Sequence, residues 1–197
     1  MCDNNRQEFI LLSDALGVSM LTVAMNNDKP AGCTQAVFGP FHVEGALHYA
    51  NGDDVASGAI GTPCRVRGTV KGLNGEPVAG AVIEVWQADA QGNYDVQYPG
   101  LDKAQARRVP NSGPDGSFHF ITIASESYPI TVDGTVGERL RATGRYPWRP
   151  AHPHFMIKAP GYETHGHPCV PQRRSVSRFR RCVWRSRITG GGLAAAT

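Results

Sequence analysis

The stretch that decides the fold is CRVRGTVKGLNGEPVAGAVIEVWQAD, residues 64–89. In its first part Val66 falls on one face and Arg65 and Arg67 on the other, the two-residue period of a half-buried strand. LNGEPVAGA reads as a turn, because Asn74-Gly75 supplies the positive φ that hairpin connections demand. AVIEVWQAD then reads as a strand of buried character. Downstream, GPDGSFHFITI (113–123) repeats the turn-then-strand pattern and AHPHFMIKA (151–159) supplies a fourth strand. Short strands separated by turn signals predict a mostly β chain built as a β-sandwich.

Upstream, the apolar residues Phe9, Leu12, Leu16, Met20, Val23 and Ala24 recur at near-helical spacing, which predicts one amphipathic helix from about Arg6 to Met25. Gly17 weakens it only slightly. VFGPFHVEGA (37–46) is an extended segment punctuated by glycine and proline, suited to lying across another element. The expected organisation is a helical segment over 1–30, a crossing linker over 31–62, a β-sandwich catalytic domain over 63–164 and a basic tail over 165–197.

Several function classes recede on composition. No run of about 18 apolar residues occurs, so no membrane span is expected. The start MCDNNRQEF lacks a basic-then-apolar signal pattern. Five cysteines, widely spaced and without a CxxC pair, fit a reducing cytoplasm better than a disulfide scaffold. Residues 165–197 carry seven arginines and no acid; without them the 20 Lys and Arg fall to 13 against 17 Asp and Glu, turning a net +3 into −4. The basic balance therefore belongs to the tail. A nucleic-acid arm is one reading of such a tail, an unstructured C-terminus the other, and nucleic-acid binding is not expected.

Within RPAHPHFMI (149–157), His152, His154 and Met156 share one strand face, while Pro153, Phe155 and Ile157 share an apolar one. Two imidazoles so placed are either ligands to one metal ion or two structural histidines. Pro153 removes a ladder donor, so an edge or irregular strand is expected. No HExxH helix or thiolate cluster lies nearby, which disfavours zinc; a two-histidine, one-carboxylate site is one way to complete the coordination, and tyrosines are another. A phenolate is a hard anionic ligand suited to ferric iron, and Tyr94, Tyr128 and Tyr146 all lie in turn-like settings.

Three long stretches, at 6–27 with 37–46, at 61–99 and at 127–164, resemble the intradiol ring-cleavage dioxygenases in order along the chain. The branch they resemble most is the hydroxyquinol 1,2-dioxygenases, near the catechol 1,2-dioxygenases. The resemblance implies non-haem Fe(III) held by Tyr94 (after Gly92-Asn93), Tyr128 (in SYP) and the RPAHxH pair His152 and His154. It also implies that Tyr128 accepts a substrate proton and that Arg149 stabilises negative charge developing on the substrate. Tyr146 stands where relatives tend to carry histidine and is expected beside the site. The implied reaction opens a 1,2-dihydroxy aromatic with O2, hydroxyquinol to maleylacetate or catechol to cis,cis-muconate, in aromatic catabolism. Leu47, Asp95 and Val96 are candidate substrate-lining residues, each equally open to a packing role. The family implies a homodimer. The rival reading is a metal-free, transthyretin-like β-sandwich carrier, which leaves four potential ligands in register unexplained.

Past Thr164 the resemblance stops, and relatives that continue with two more core strands are replaced here by HGHPCVPQRRSVSRFRRCVWRSR. Codons read one base later from His167 through Arg185 permit T-H-V-F-x-N-x-D-x-Y-L-D-S-D-A-V-F-G-V, 19 positions in the family's order. Trp184, with a single codon, forces the glycine when the next codon begins with C. The expectation is a one-base insertion or deletion near codons 164–166, against the alternative of a genuine basic extension; the chain also starts later than relatives do. Losing two strands would leave open sheet edges, so weak or no activity is expected. The nucleotide sequence is the check: the shifted frame should spell this pattern, and a stop codon or unrelated residues there would contradict it.

Overall fold

A computed structural model of the chain describes residues 2–3, 6–26, 36–39, 41–72, 74–101, 103–168 and 180–188. The strands are β1 (Cys2–Asp3), β2 (Arg6–Gln7), β3 (His48–Tyr49), β4 (Pro63–Gly72), β5 (Val82–Gln87), β6 (Arg107–Pro110), β7 (Ser117–Ile123), β8 (Tyr128–Pro129), β9 (Trp148–Arg149), β10 (Pro153–Lys158), β11 (His165–Pro168) and β12 (Arg180–Ile188). The helices are α1 (Glu8–Leu16), α2 (Val18–Asn26) and α3 (Thr135–Ala142).

Two sheets make the body, one ordered β11-β10-β5-β6-β3 and the other β12-β4-β7. Their facing sides share one apolar core. Val66 and Val70 of β4 and Phe118 and Phe120 of β7 meet Ile83 and Val85 of β5 and Phe155 and Ile157 of β10. The mostly β sandwich expected from the alternation is therefore the observed one. Strict alternation then turns Trp86 of β5 and Met156 of β10 to the opposite side of the larger sheet, where they form a second apolar cluster with Ala88 and Tyr94. A third cluster joins α1 to α3 through Ala15, Val136 and Leu140. There the Glu8 carboxylate accepts from Thr135 Oγ1 at the start of α3, and Arg145 Nη1 donates to the Ala15 carbonyl at 2.6 Å.

Four expectations need correction. The single N-terminal helix is two helices bent by 71°. Gly17, at φ 77°, takes the left-handed conformation that ends α1. The pair reaches membrane-spanning length and apolarity only jointly; no single helix among the described residues does. The Asn74-Gly75 turn does close a tight hairpin, with Gly72 N–H donating to Glu76 O and Val78 N–H to Val70 O. Beyond it, however, the chain crosses to the other sheet, because β5 pairs with β10 and β6 rather than with β4. Nor does β10 lie at an edge: it runs between β5 and β11. Pro153 is tolerated as the first residue of β10, at the end of its ladder with β5 opposite Gln87.

The fourth correction concerns the tail. β11 pairs antiparallel with β10, and β12 pairs parallel with β4 from Cys64 to Gly72. These edges are thus covered, because a ladder is made of backbone N–H and C=O groups that almost any side-chain sequence carries.

Phe155 is 1 % exposed and packs across the sandwich against Phe118 and Phe120 of β7 in the facing sheet. Phe155→Ala is expected to cost about 3–5 kcal/mol in urea unfolding; a loss below about 1 kcal/mol would contradict this packing.

Candidate metal centre

The site builds on the outer face of the larger sheet. His154 is paired across the ladder with Trp86, and the two rings stack 5.1 Å apart with an interplanar angle of 3°. His152 lies two residues earlier, just before β10. Its Nδ1–H donates to the Pro150 carbonyl at 2.6 Å. A carbonyl only accepts, so the proton sits on Nδ1 and the Nε2 lone pair is free to face inward. That Nε2 lies 3.1 Å from His154 Nε2.

The two phenols arrive on separate loops. Tyr94 follows β5 and immediately precedes a short 3-10 helix, Asp95–Gln97; its backbone N–H donates to Gln97 Oε1 at 2.8 Å. Asp89 organises the same loop by accepting from the backbone N–H groups of Gln91 and Asn93 and from the Tyr98 hydroxyl. Tyr128 stands on β8, directly opposite Arg149 on β9. Gly92 makes room for it: a Cβ there would lie 2.7 Å from Tyr128 Cβ, and Gly92 has φ 84°. The two hydroxyls come within 3.2 Å.

The four rings close a circuit. Centroid separations are 5.8 Å for Tyr94–Tyr128, 5.8 Å for Tyr128–His152, 4.7 Å for His152–His154 and 6.4 Å for His154–Tyr94. The crossing segment covers them. Phe41 stacks on Tyr94 at 4.5 Å, His42 Nε2 donates to Glu84 at 2.9 Å, and the Ala36 N–H donates to the Gly166 carbonyl.

Burial dominates the electrostatics. It raises the Tyr94 phenol far above its ordinary range, with Tyr128 adding and the Arg107 charge opposing. It raises Tyr128 too, against the Tyr94 hydrogen bond and the Arg149 charge. It lowers His152 against the hydrogen bond to Pro150, and lowers His154 to about 3, with the charges of His152, Arg107 and His42 adding. Both imidazoles are therefore neutral near pH 7, the form that binds metals. Among the described residues no group of three or more His, Cys, Asp or Glu side chains could hold a metal ion, so a donor set here has to draw on the phenols. Two phenol oxygens and two imidazole nitrogens suit a hard trivalent cation, which would drive the phenols to ionise.

The other expected residues differ in burial and partners. Arg149 is half-buried beside Tyr128, and its charge acts on both Tyr128 and His152. Tyr146 is 75 % exposed, and Leu47 and Val96 are also exposed. The Asp95 carboxylate is engaged by Arg107, which donates from Nη2 at 2.8 Å. Sequence reasoning missed Arg107, Trp86, Phe41 and Gly92 as parts of the site. Only Gly92 carried a signal, lying in the QGNY turn before Tyr94.

Comparison with known proteins gives a consistent picture. A family model described as "Dioxygenase" matches residues 21–166, and one described as "Catechol dioxygenase N terminus" matches residues 1–34. The chain is 72% identical over 165 residues to a 6-chlorohydroxyquinol 1,2-dioxygenase of Cupriavidus pinatubonensis, covering 83% of this chain and 60% of that one. It is 54% identical over 163 residues to a hydroxyquinol 1,2-dioxygenase of Nocardioides simplex, covering 82% and 55%. It thus spans little more than half the length of these relatives. Among solved structures, a hydroxyquinol 1,2-dioxygenase from Pseudomonas putida DLL-E4 superimposes with a TM-score of 0.88 at 34% identity, over 96% of this chain and 78% of that one.

A histidine kept neutral by folding binds fewer protons folded than unfolded between its two pKa values, so stability is full above that window and is lost as the pH falls through it. For His154 the window runs from 6.5 down to about 3. The metal-free protein is expected to lose urea resistance steadily across it, and His154→Gln to flatten part of the slope. An unchanged slope in that variant would contradict the burial of a neutral imidazole.

Proposed function

The chain belongs to the intradiol ring-cleavage dioxygenase family, and on that premise we propose that it opens an aromatic 1,2-diol between its two hydroxyl-bearing carbons, using Fe(III) and O2. Members of this family are generally Fe(III)-dependent. The observation that carries the reading is the closed circuit of Tyr94, Tyr128, His152 and His154, four donors of the kind a ferric ion takes, drawn from three separate segments. Hydroxyquinol, giving maleylacetate, is the preferred substrate; catechol, giving cis,cis-muconate, is the second. The names of the two relatives above support that order.

Tyr94, Tyr128, His152 and His154 would hold the Fe(III), which would supply Lewis acidity toward the diol. The remaining work falls to the chain's own side chains. Tyr128 Oη is the group that takes a proton from a substrate hydroxyl; it is less buried than Tyr94 and pairs with the strand that carries Arg149. Arg149 provides fixed positive charge where negative charge gathers on the substrate. Tyr94, 1 % exposed under Phe41, stays in place and keeps water from that side. Exposed Leu47 and Val96 are candidates for meeting the ring substituents. The metal-free carrier reading is not favoured, because it gives no reason for two phenols and two neutral imidazoles to share one buried circuit. A cytoplasmic location and a homodimer belong to the same proposal, as does residues 165–197 being out of the family's frame; activity is then reduced because β11 and β12 carry a non-family side-chain sequence, although their backbones cover the edges.

The test is to express the full chain, load it with Fe(III), and follow bound iron, the visible phenolate-to-iron absorption and oxygen uptake with hydroxyquinol and catechol. About one iron per chain, a coloured protein and diol-dependent uptake are expected. Arg149→Gln should keep iron while slowing turnover by about 10²–10³. Colourless protein that binds a diol without consuming oxygen would support the carrier instead.

A further inference from the structure

Asp95 follows Tyr94 in the chain, and its carboxylate meets one buried guanidinium. Arg107 donates from Nη2 to Asp95 Oδ1 at 2.8 Å and from Nε to Oδ2 at 3.0 Å, a two-pronged pair whose side chains are 4% and 6% exposed. The same Nη2 donates to the Phe41 carbonyl at 2.7 Å, and the Phe41 ring stacks on Tyr94. One guanidinium thus fastens both supports of the Tyr94 ring: the backbone that follows it and the crossing segment that covers it. Arg107 also sits opposite Trp86 on β5, the residue stacked on His154.

We propose that Arg107, with Asp95, is a positioning residue that holds the Tyr94 phenol ready for the metal. This rests on the ferric-site reading above. Arg107 touches neither metal nor substrate in this role; it acts by fixing Tyr94. Arg108 is the natural comparator. It is equally buried, but its guanidinium bonds the Ala104 and Arg107 carbonyls and Ser57 and lies over the Tyr49 ring, partners that include none of Tyr94, Asp95 and Phe41.

The experiment uses the full chain with Fe(III), comparing Asp95→Asn, Arg107→Lys, their double variant, Phe41→Leu and Arg108→Lys. Lysine keeps the charge of Arg107 but loses its planar fork. The readouts are the thermal melt, the phenolate-to-iron absorption band and iron retention against a chelator. Asp95→Asn and Arg107→Lys should each displace the band and weaken retention by roughly tenfold, and the double variant should be no worse than the worse single. Phe41→Leu, which leaves the ion pair intact, should displace the band less. Arg108→Lys should lower the melt and leave the band where it was. An unmoved band in both Asp95→Asn and Arg107→Lys, an additive double variant, or an equal displacement in Arg108→Lys would overturn the proposal. If the unsubstituted chain binds iron with no such band, the ferric-site reading itself fails and this inference falls with it; if it shows the band and the variants do not move it, only the positioning role fails.

Discussion

Everything in this molecule depends on the register of β5 against β10. The ladder sets His154 opposite Trp86, Phe155 opposite Val85 and Ile157 opposite Ile83. Because side chains alternate, the same two strands feed the sandwich core with one face and the candidate metal site with the other. Slipping β10 by one residue would send His154 into the core and Phe155 out beneath the crossing segment, and slipping β5 would send Glu84 into the core. The core is what forbids that slip. Ile83 and Phe155 are buried in that core, and exchanging them for a glutamate and an imidazole would leave polar groups unpaired inside. Stability and site geometry are therefore two consequences of one pairing.

The second constraint is electrostatic. Four polar rings are gathered where water is largely excluded, and burial drives each toward its neutral form: phenols upward, imidazoles downward. In the metal-free protein they satisfy one another, phenol to phenol and imidazole to imidazole. A trivalent cation would replace both mutual hydrogen bonds with stronger bonds and release the phenolic protons, so metal uptake, proton release and local order are coupled. The clamp of Asp95 and Arg107 and the gap left by Gly92 reduce the ordering that the cation would otherwise have to impose.

Much of this was legible in the sequence. The alternation around Val66 marked β4, and the HxH face opposite Phe155 and Ile157 was readable from a period of two. The four site residues followed from motif resemblance, since no local rule brings Tyr128 next to Tyr94 across 34 positions. What escaped was long-range. Asn74-Gly75 announced a turn but not that the next strand would join the other sheet. Gly17 carried the break in the N-terminal helix, yet glycine within a helical pattern costs only about 1 kcal/mol, too little to decide between bending and continuing. Pro153 argued for an edge because its missing donor is a local fact, whereas its harmless place at the end of the ladder is a tertiary one. Asp95 read equally as a substrate-lining or a packing residue, and only the fold shows Arg107, twelve positions on, bound to its carboxylate. Two adjacent arginines in RRVP gave no sign of which would face the site.

The most direct measurement of the central claim is anomalous diffraction at the iron edge from crystals of the Fe(III)-loaded full chain. The account predicts one peak inside the ring circuit, bonded to Tyr94 Oη, Tyr128 Oη, His152 Nε2 and His154 Nε2. A peak elsewhere, or an iron held by other side chains while these four keep their mutual hydrogen bonds, would contradict it.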